Sequence, residues 1–287
     1  FSTGLTDQEI VSVAKFGLMT AIMLPILPDT PLGEPPFDVV TLRNVWLMVV
    51  LVAAIGLVGY ILKKLLGHHK AILLTGFLGG LVSSTAVTLT FAGRSKERPD
   101  LSKAFATAVI IAWTTMFIRV VIEVIVVNPA LVSRLWIPMT AAAVAGAAYC
   151  LFLRQKKIQQ EASGEDVDVK SPFSLKKALI FGSIYAIVLV VARAAQMWFG
   201  NEGIYVSAIA AGFTDVDAIT LSMAELSREG GSVDQGVAVI AITLAAVSNT
   251  LVKTGIVLAT GGRQLREAVL PGVVLIVAAA LGSAALV

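Results

Sequence analysis

Long, nearly unbroken apolar runs recur along this 287-residue chain and decide what it can fold into. They fall at 10–27, 43–66, 71–92, 104–127, 133–153, 176–199, 204–226, 236–260 and 267–287. A helix needs about 20 mostly apolar residues to cross a bilayer. An outer-membrane barrel would instead show short segments of alternating polarity, and these runs do not alternate. Only 14% of residues are charged against 57% hydrophobic, too few to clothe a water-facing surface. The expected fold is therefore an all-α polytopic membrane protein, with about seven spanning helices plus two Gly-broken segments that are re-entrant or short spans. A net charge of +3, with no basic stripe interleaved with aromatics, excludes a nucleic-acid partner. The lone Cys150 lies in an apolar run and offers neither a disulfide framework nor a cysteine metal site. The chain opens on Phe1 without the charged start and cleavage site of a signal peptide, and reads as a fragment or processed product.

Polar connectors divide the chain. Residues 1–40 hold a helix and an acidic, proline-rich loop; 41–155 and 174–287 hold four runs each; 156–173 is a hydrophilic linker. The two larger blocks repeat. Gly80-Leu-Val-Ser-Ser-Thr-Ala-Val-Thr-Leu89 aligns with Gly212-Phe-Thr-Asp-Val-Asp-Ala-Ile-Thr-Leu221 at an offset of 132, with Gly, Ala, Thr and Leu identical. Internal duplication is a common plan of secondary transporters. The distribution of basic residues gives the relative orientation. If 71–92 and 204–226 dip in and return, fifteen basic residues, from Lys63 to Arg266, share one side, leaving Arg43, Arg134 and Arg228 opposite. If all nine runs cross, both sides are basic. The better-sorted arrangement has three true spans per half, so the halves form an inverted repeat.

Backbone that leaves helical geometry at membrane depth must be buried in protein or line a wet cavity. Gly76, Gly79 and Gly80 are expected to break the first segment and Gly212 the second. Helix-capping residues follow: Ser83, Ser84 and Thr85, then Thr214, Asp215 and Asp217. Two helix N-termini would then meet near the midplane, offering N–H groups and the positive ends of their dipoles. An intramembrane carboxylate is costly and functional by default, so Asp215 and Asp217 are the expected ion or metal ligands. Asn249 would sit beside the broken segments, with Thr114 and Thr115 as rough counterparts. The remaining intramembrane charges are counter-charges. Arg119 and Glu123, four apart, are expected to pair; Lys253 is expected to pair with Asp215 or Asp217; Arg193 either joins the site or snorkels near Trp198. Oxygen donors suit a hard cation such as Mg²⁺ or a proton, whereas helix N-termini with Arg119 and Lys253 suit an anion.

Enzyme readings fare worse. The sequence holds no HExxH, G-x-S-x-G or P-loop. His68 and His69 beside Lys70 read as a solvated basic loop. Asp215 and Asp217 are two apart on one segment, a poor fit to a proton-sharing dyad.

The stretch from Leu73 to Thr88 (LLTGFLGGLVSSTAVT) and that from Thr214 to Ser222 (TDVDAITLS) resemble a C-terminal membrane domain of unknown function that follows the MgtC/SapB domain in bacterial inner-membrane proteins. The resemblance covers about residues 40–260, and Asn249, Thr250 and Lys253 fit its second-half pattern. Trp113 departs from it, since the pattern implies Asn there. The resemblance implies a multi-pass inner-membrane protein, an upstream MgtC-like domain outside this chain, and an association with magnesium. The leading expectation is a transporter or channel for a small inorganic ion, divalent metal cations first, with no cofactor beyond that ion. The alternatives are a non-transporting regulatory protein that docks a partner, and an anion or small-acid transporter. A homodimer is the base-rate expectation for assembly.

Overall fold

The computed structural model describes residues 7–66, 72–154 and 175–286. The linker 156–173 and the His68–His69 pair lie outside the described residues. Described residues form helices and short 3₁₀ turns, with no strand among them. In order the helices are α1 (Asp7–Ile26), α2 (Leu42–Leu66), α3 (Ile72–Glu97), α4 (Ser102–Val127), α5 (Pro129–Arg154), α6 (Leu175–Gly212), α7 (Val216–Leu226), α8 (Gln235–Thr260) and α9 (Arg263–Ala284). Among the described residues, seven stretches are long and apolar enough to cross a membrane. The chain is a multi-pass, all-helical membrane protein.

Its burial pattern agrees. Large apolar side chains face outward, among them Ile187, Val206 and Val274, each more than 60% exposed. Charged and hydroxylated ones sit inside: Glu123, Lys253, Thr88 and Thr220 are at most 1% exposed. The helix interiors follow the same logic, with α4 and α8 lined by Ala, Val, Ser and Thr that let helices approach closely. These two helices have 26 residues each and begin 133 positions apart.

Two helices are interrupted. In α3 the break falls at Ser83 (φ −166°, ψ 104°), and the chain doubles back there. A Cβ on Gly79 would lie 2.7 Å from Val87 Cγ2, although eight residues span about 12 Å along a continuous helix. Gly76 and Gly80 lie against Ala108 and Ala112, ascending beside α4, whereas Phe91 stacks on Phe105, descending beside it. In α6 the break falls at Gly200, whose φ of 60° and ψ of −143° suit glycine alone. Residues 201–212 and α7 then leave and return to one end of the bundle, where Gln196 just before them donates to the carbonyl of Ser232 just after.

The glycines thus differ from the expected breaks. Gly76, Gly79 and Gly80 lie within helix, and their lack of a Cβ serves contact: on Gly80 a Cβ would stand 2.7 Å from Ala112 Cα. Gly212, the last residue of α6, meets Ala245 in the same way. The second interruption comes at Gly200 as well as after Gly212.

The two ends of the bundle carry different charges. One gathers the ends of α2 and α3 with Lys63, Lys64, Arg94 and Lys96, and is joined to α9 by the amide of Gly262 donating to Ser95 Oγ at 2.8 Å. The opposite end is tied by Asn44 Nδ2 to Glu225 Oε1 at 3.2 Å, and by Asn128 Nδ2 to Ala224 O and Ser227 Oγ, both at 3.2 Å.

Candidate functional site

The tips of the two doubled-back segments open on one cavity of about 240 Å³. Its walls are Val82, Ser83, Ser84 and Thr85 of α3, the Thr214–Asp217 turn, Met116 and Arg119 of α4, Asn249 of α8, and Val52 and Gly56 of α2. All seven residues expected to bind an ion from sequence therefore line the same space.

Each tip is a helix N-terminus built in the same way. Ser83 is extended, and its Oγ accepts from the Ala86 amide at 3.2 Å. Asp215, 132 positions later, is extended too (φ −156°, ψ 122°), and its Oδ1 accepts from the Asp217 amide at 2.8 Å. A side-chain oxygen on a first-turn N–H is the standard helix cap. It leaves other first-turn N–H groups and the positive dipole end turned toward the cavity. Asn249 fixes the second tip from behind, donating through Nδ2 to the Gly212 carbonyl at 2.9 Å, one turn along α8 from where Gly212 rests on Ala245. Ser248 Oγ donates to Ile209 O at 2.8 Å and holds the same segment.

Charge pairing meets the sequence expectation in part: Arg119 and Glu123 pair as expected, whereas Lys253 does not pair with an aspartate. Arg119 donates through Nη2 to Asp217 Oδ2, joining α4 to α7, and through Nη1 to the Leu81 carbonyl at 3.4 Å. Its Nη2 also stands 3.7 Å from Glu123 Oε1. Lys253, 1% exposed, does not take the place expected of it beside an aspartate. Its Nζ donates to Ser84 Oγ and Met116 Sδ, both at 2.8 Å. The register of the two central helices also differs from the expected one. With Gly80 on Ala112 and Gly212 on Ala245, α4 and α8 correspond at an offset of 133. Asn249 then answers to Met116, not to Thr114 or Thr115. Trp113 instead points at Thr88, donating Nε1 to Oγ1 at 2.9 Å. Arg193 lies outside the cavity altogether, paired with Asp38 at 3.1 Å and Gln196 at 3.0 Å.

Sequence reasoning missed Met116 and the Leu81 carbonyl, because neither residue type announces a polar role. Among the described residues no three His, Cys, Asp or Glu side chains gather as a metal cage.

Residues 50–261 match the family described as Domain of unknown function (DUF4010). The chain belongs to that family. The DUF4010 match takes in α3, α4, α7, α8 and both tips of the cavity. An uncharacterized protein of Aquifex aeolicus (strain VF5) is 34% identical over 196 residues, covering 68% of this chain and 85% of the relative. No solved structure matches this DUF4010 chain significantly.

Proposed function

We propose that this protein carries a small inorganic ion, a cation first, across the bacterial inner membrane through the cavity between the two helix tips. One observation carries the reading: caps at Ser83 and Asp215, from different halves of the chain, open on one polar cavity inside the bundle. In this reading each doubled-back segment is re-entrant, the two halves are an inverted repeat, and the basic end faces the cytoplasm. Rocking of one half on the other would expose the cavity alternately to each side.

Charge favours a cation. Two basic side chains, Arg119 and Lys253, stand against three acidic ones, Glu123, Asp215 and Asp217. Asp215 and Asp217 supply carboxylate oxygens, and Ser83, Thr85 and Thr214 supply hydroxyls, the donor chemistry that hard cations such as Mg²⁺ take. An upstream MgtC-like domain is part of the same proposal and rests on the sequence motifs. One observation favours an anion instead: the buried ammonium of Lys253 bonds a hydroxyl and a thioether rather than a carboxylate.

The test is flux into proteoliposomes, wild type beside Asp215→Asn/Asp217→Asn, over Mg²⁺, Mn²⁺, Zn²⁺, H⁺ and simple anions. Flux of one cation that the folded double variant loses supports the proposal. Anion flux that survives in the double variant overturns it in favour of the second reading. No flux of any ion returns the chain to a regulatory, partner-docking role.

A further inference from the structure

We infer that Arg119 is a two-position switch, held by Asp217 in the arrangement seen here and transferred fully to Glu123 when a cation occupies Asp217. The inference rests on the cation reading above and assigns a positioning role to Glu123, a residue outside the cavity wall.

Three unsatisfied atoms belong to two neighbouring side chains behind the site, whose charged groups approach to 3.7 Å. Arg119 Nε, Glu123 Oε1 and Glu123 Oε2 are buried without a hydrogen bond, and Glu123 is 0% exposed. Buried polar atoms are rarely left so, and each instance calls for an explanation. Here the three are complementary. A guanidinium presents Nε–H and Nη2–H as a parallel fork that fits the two oxygens of a carboxylate. Arg119 makes no such fork in this structure, since Nη2 is committed to Asp217 Oδ2 and stays 3.7 Å from Glu123 Oε1. Closing that gap to the usual charge-assisted distance needs a shift of about 1 Å. The fork would satisfy all three atoms at once and release Asp217.

Both positions lie within reach because Glu123 stands one turn beyond Arg119 on the same helix, while Asp217 lies on another, 98 residues away in sequence. A cation arriving between the tips competes with the guanidinium for Asp217. Without a second anionic berth it would face an unpaired arginine at close range; with Glu123 the displaced charge has a partner at once. Release of the ion returns Arg119 to Asp217, which keeps the empty site from holding an unpaired aspartate. The tie from Arg119 Nη1 to Leu81 O, beside the Ser83 break, would loosen in the same movement and link occupancy to the first tip.

The experiment uses the full chain in liposomes with Mg²⁺ and, separately, Na⁺ as probes. Infrared difference spectra are recorded on adding the cation, together with cation flux. The expected result is a carboxylate band that shifts with the cation, is missing in Glu123→Gln and no longer shifts in Asp217→Asn. Glu123→Gln should lower flux at least tenfold, and Glu123→Asp, which keeps the charge, should regain most of it. Should Glu123→Gln fail to fold, the band is assigned through its displacement in Glu123→Asp. Wild-type flux in Glu123→Gln with no Glu123-dependent band overturns the switch and leaves the cation reading standing. A Glu123-dependent band without flux in any variant supports the switch and overturns transport. Neither band nor flux overturns both.

Discussion

Lys253→Met should make the folded protein more stable, not less. The ammonium is 1% exposed, with Ser84 Oγ and Met116 Sδ as its hydrogen-bond partners. Taking an ion out of water costs several kcal/mol even after the surroundings relax. Against that stands the bond to Ser84, and hydrogen bonds between membrane helices average about 0.6 kcal/mol, with an upper value of about 1.7. Methionine fills nearly the volume of lysine and packs well on another sulfur. Replacing buried charges by apolar groups of similar size changes stability by about 0 to 4 kcal/mol in the favourable direction, and about 2 kcal/mol is expected here. The assay is unfolding in mixed detergent micelles titrated with SDS and followed by tryptophan fluorescence, wild type beside variant. A gain in stability accompanied by loss of ion flux would mean that Lys253 is kept for its charge at a cost to the fold. A loss of more than about 1 kcal/mol would refute the reasoning and make the ammonium a structural tie between α3, α4 and α8.

Other outcomes follow from the same geometry. Asp215→Asn keeps a capping oxygen and should hold stability within about 0.5 kcal/mol, whereas Asp215→Ala should lose about 1 kcal/mol; SDS unfolding separates the two, and both should lose cation flux. Gly80→Ala places a Cβ 2.7 Å from Ala112 Cα and 2.9 Å from its carbonyl oxygen, so it should destabilise by about 1–3 kcal/mol, read as a lower melting temperature in detergent. Asn249→Ala removes the donor to the Gly212 carbonyl and should cost about 1–3 kcal/mol, with faster hydrogen exchange confined to residues 209–217. Arg193→Ala frees Asp38, in the turn before α2, and should leave cation flux within twofold of wild type.

How legible this molecule was in its sequence depended on the range of each interaction. The helices were open to reading because lipid dictates their length and hydropathy: the runs at 104–127 and 236–260 lie close to Ser102–Val127 and Gln235–Thr260. The helix tips were open to reading because a cap acts within three residues, so Ser83 and Asp215 announce themselves locally. Partner choice was not. The sequence spacing offered Glu123 to Arg119, and that pair forms at 3.7 Å, but it gave no sign that Arg119 also reaches Asp217 or that Lys253 finds Ser84 instead of an aspartate. Those choices are set by the packing of α4 and α8, where a one-residue change of register turns a side chain by about 100° around its helix. The glycines misled for a related reason. A Gly-rich helix tolerates both a break and a close approach, and only the presence of Ala108 and Ala112 opposite shows which use is made of it.

The 98 residues between Arg119 and Asp217 also bear on how the protein is made. At about 5–20 residues per second, roughly 5 to 20 seconds pass between synthesis of the arginine and synthesis of the aspartate that it holds in the finished fold. During that interval α4 has to enter the membrane with its guanidinium lacking that partner. Glu123, already present one turn further along the same helix, is the anion at hand, and a neutralised pair inserts at lower cost than a lone charge. The glutamate that stands behind the site in the assembled bundle thus also gives α4 an escort through the translocon, and a chain without it would be expected to show poor insertion of α4 as well as any defect of the mature protein.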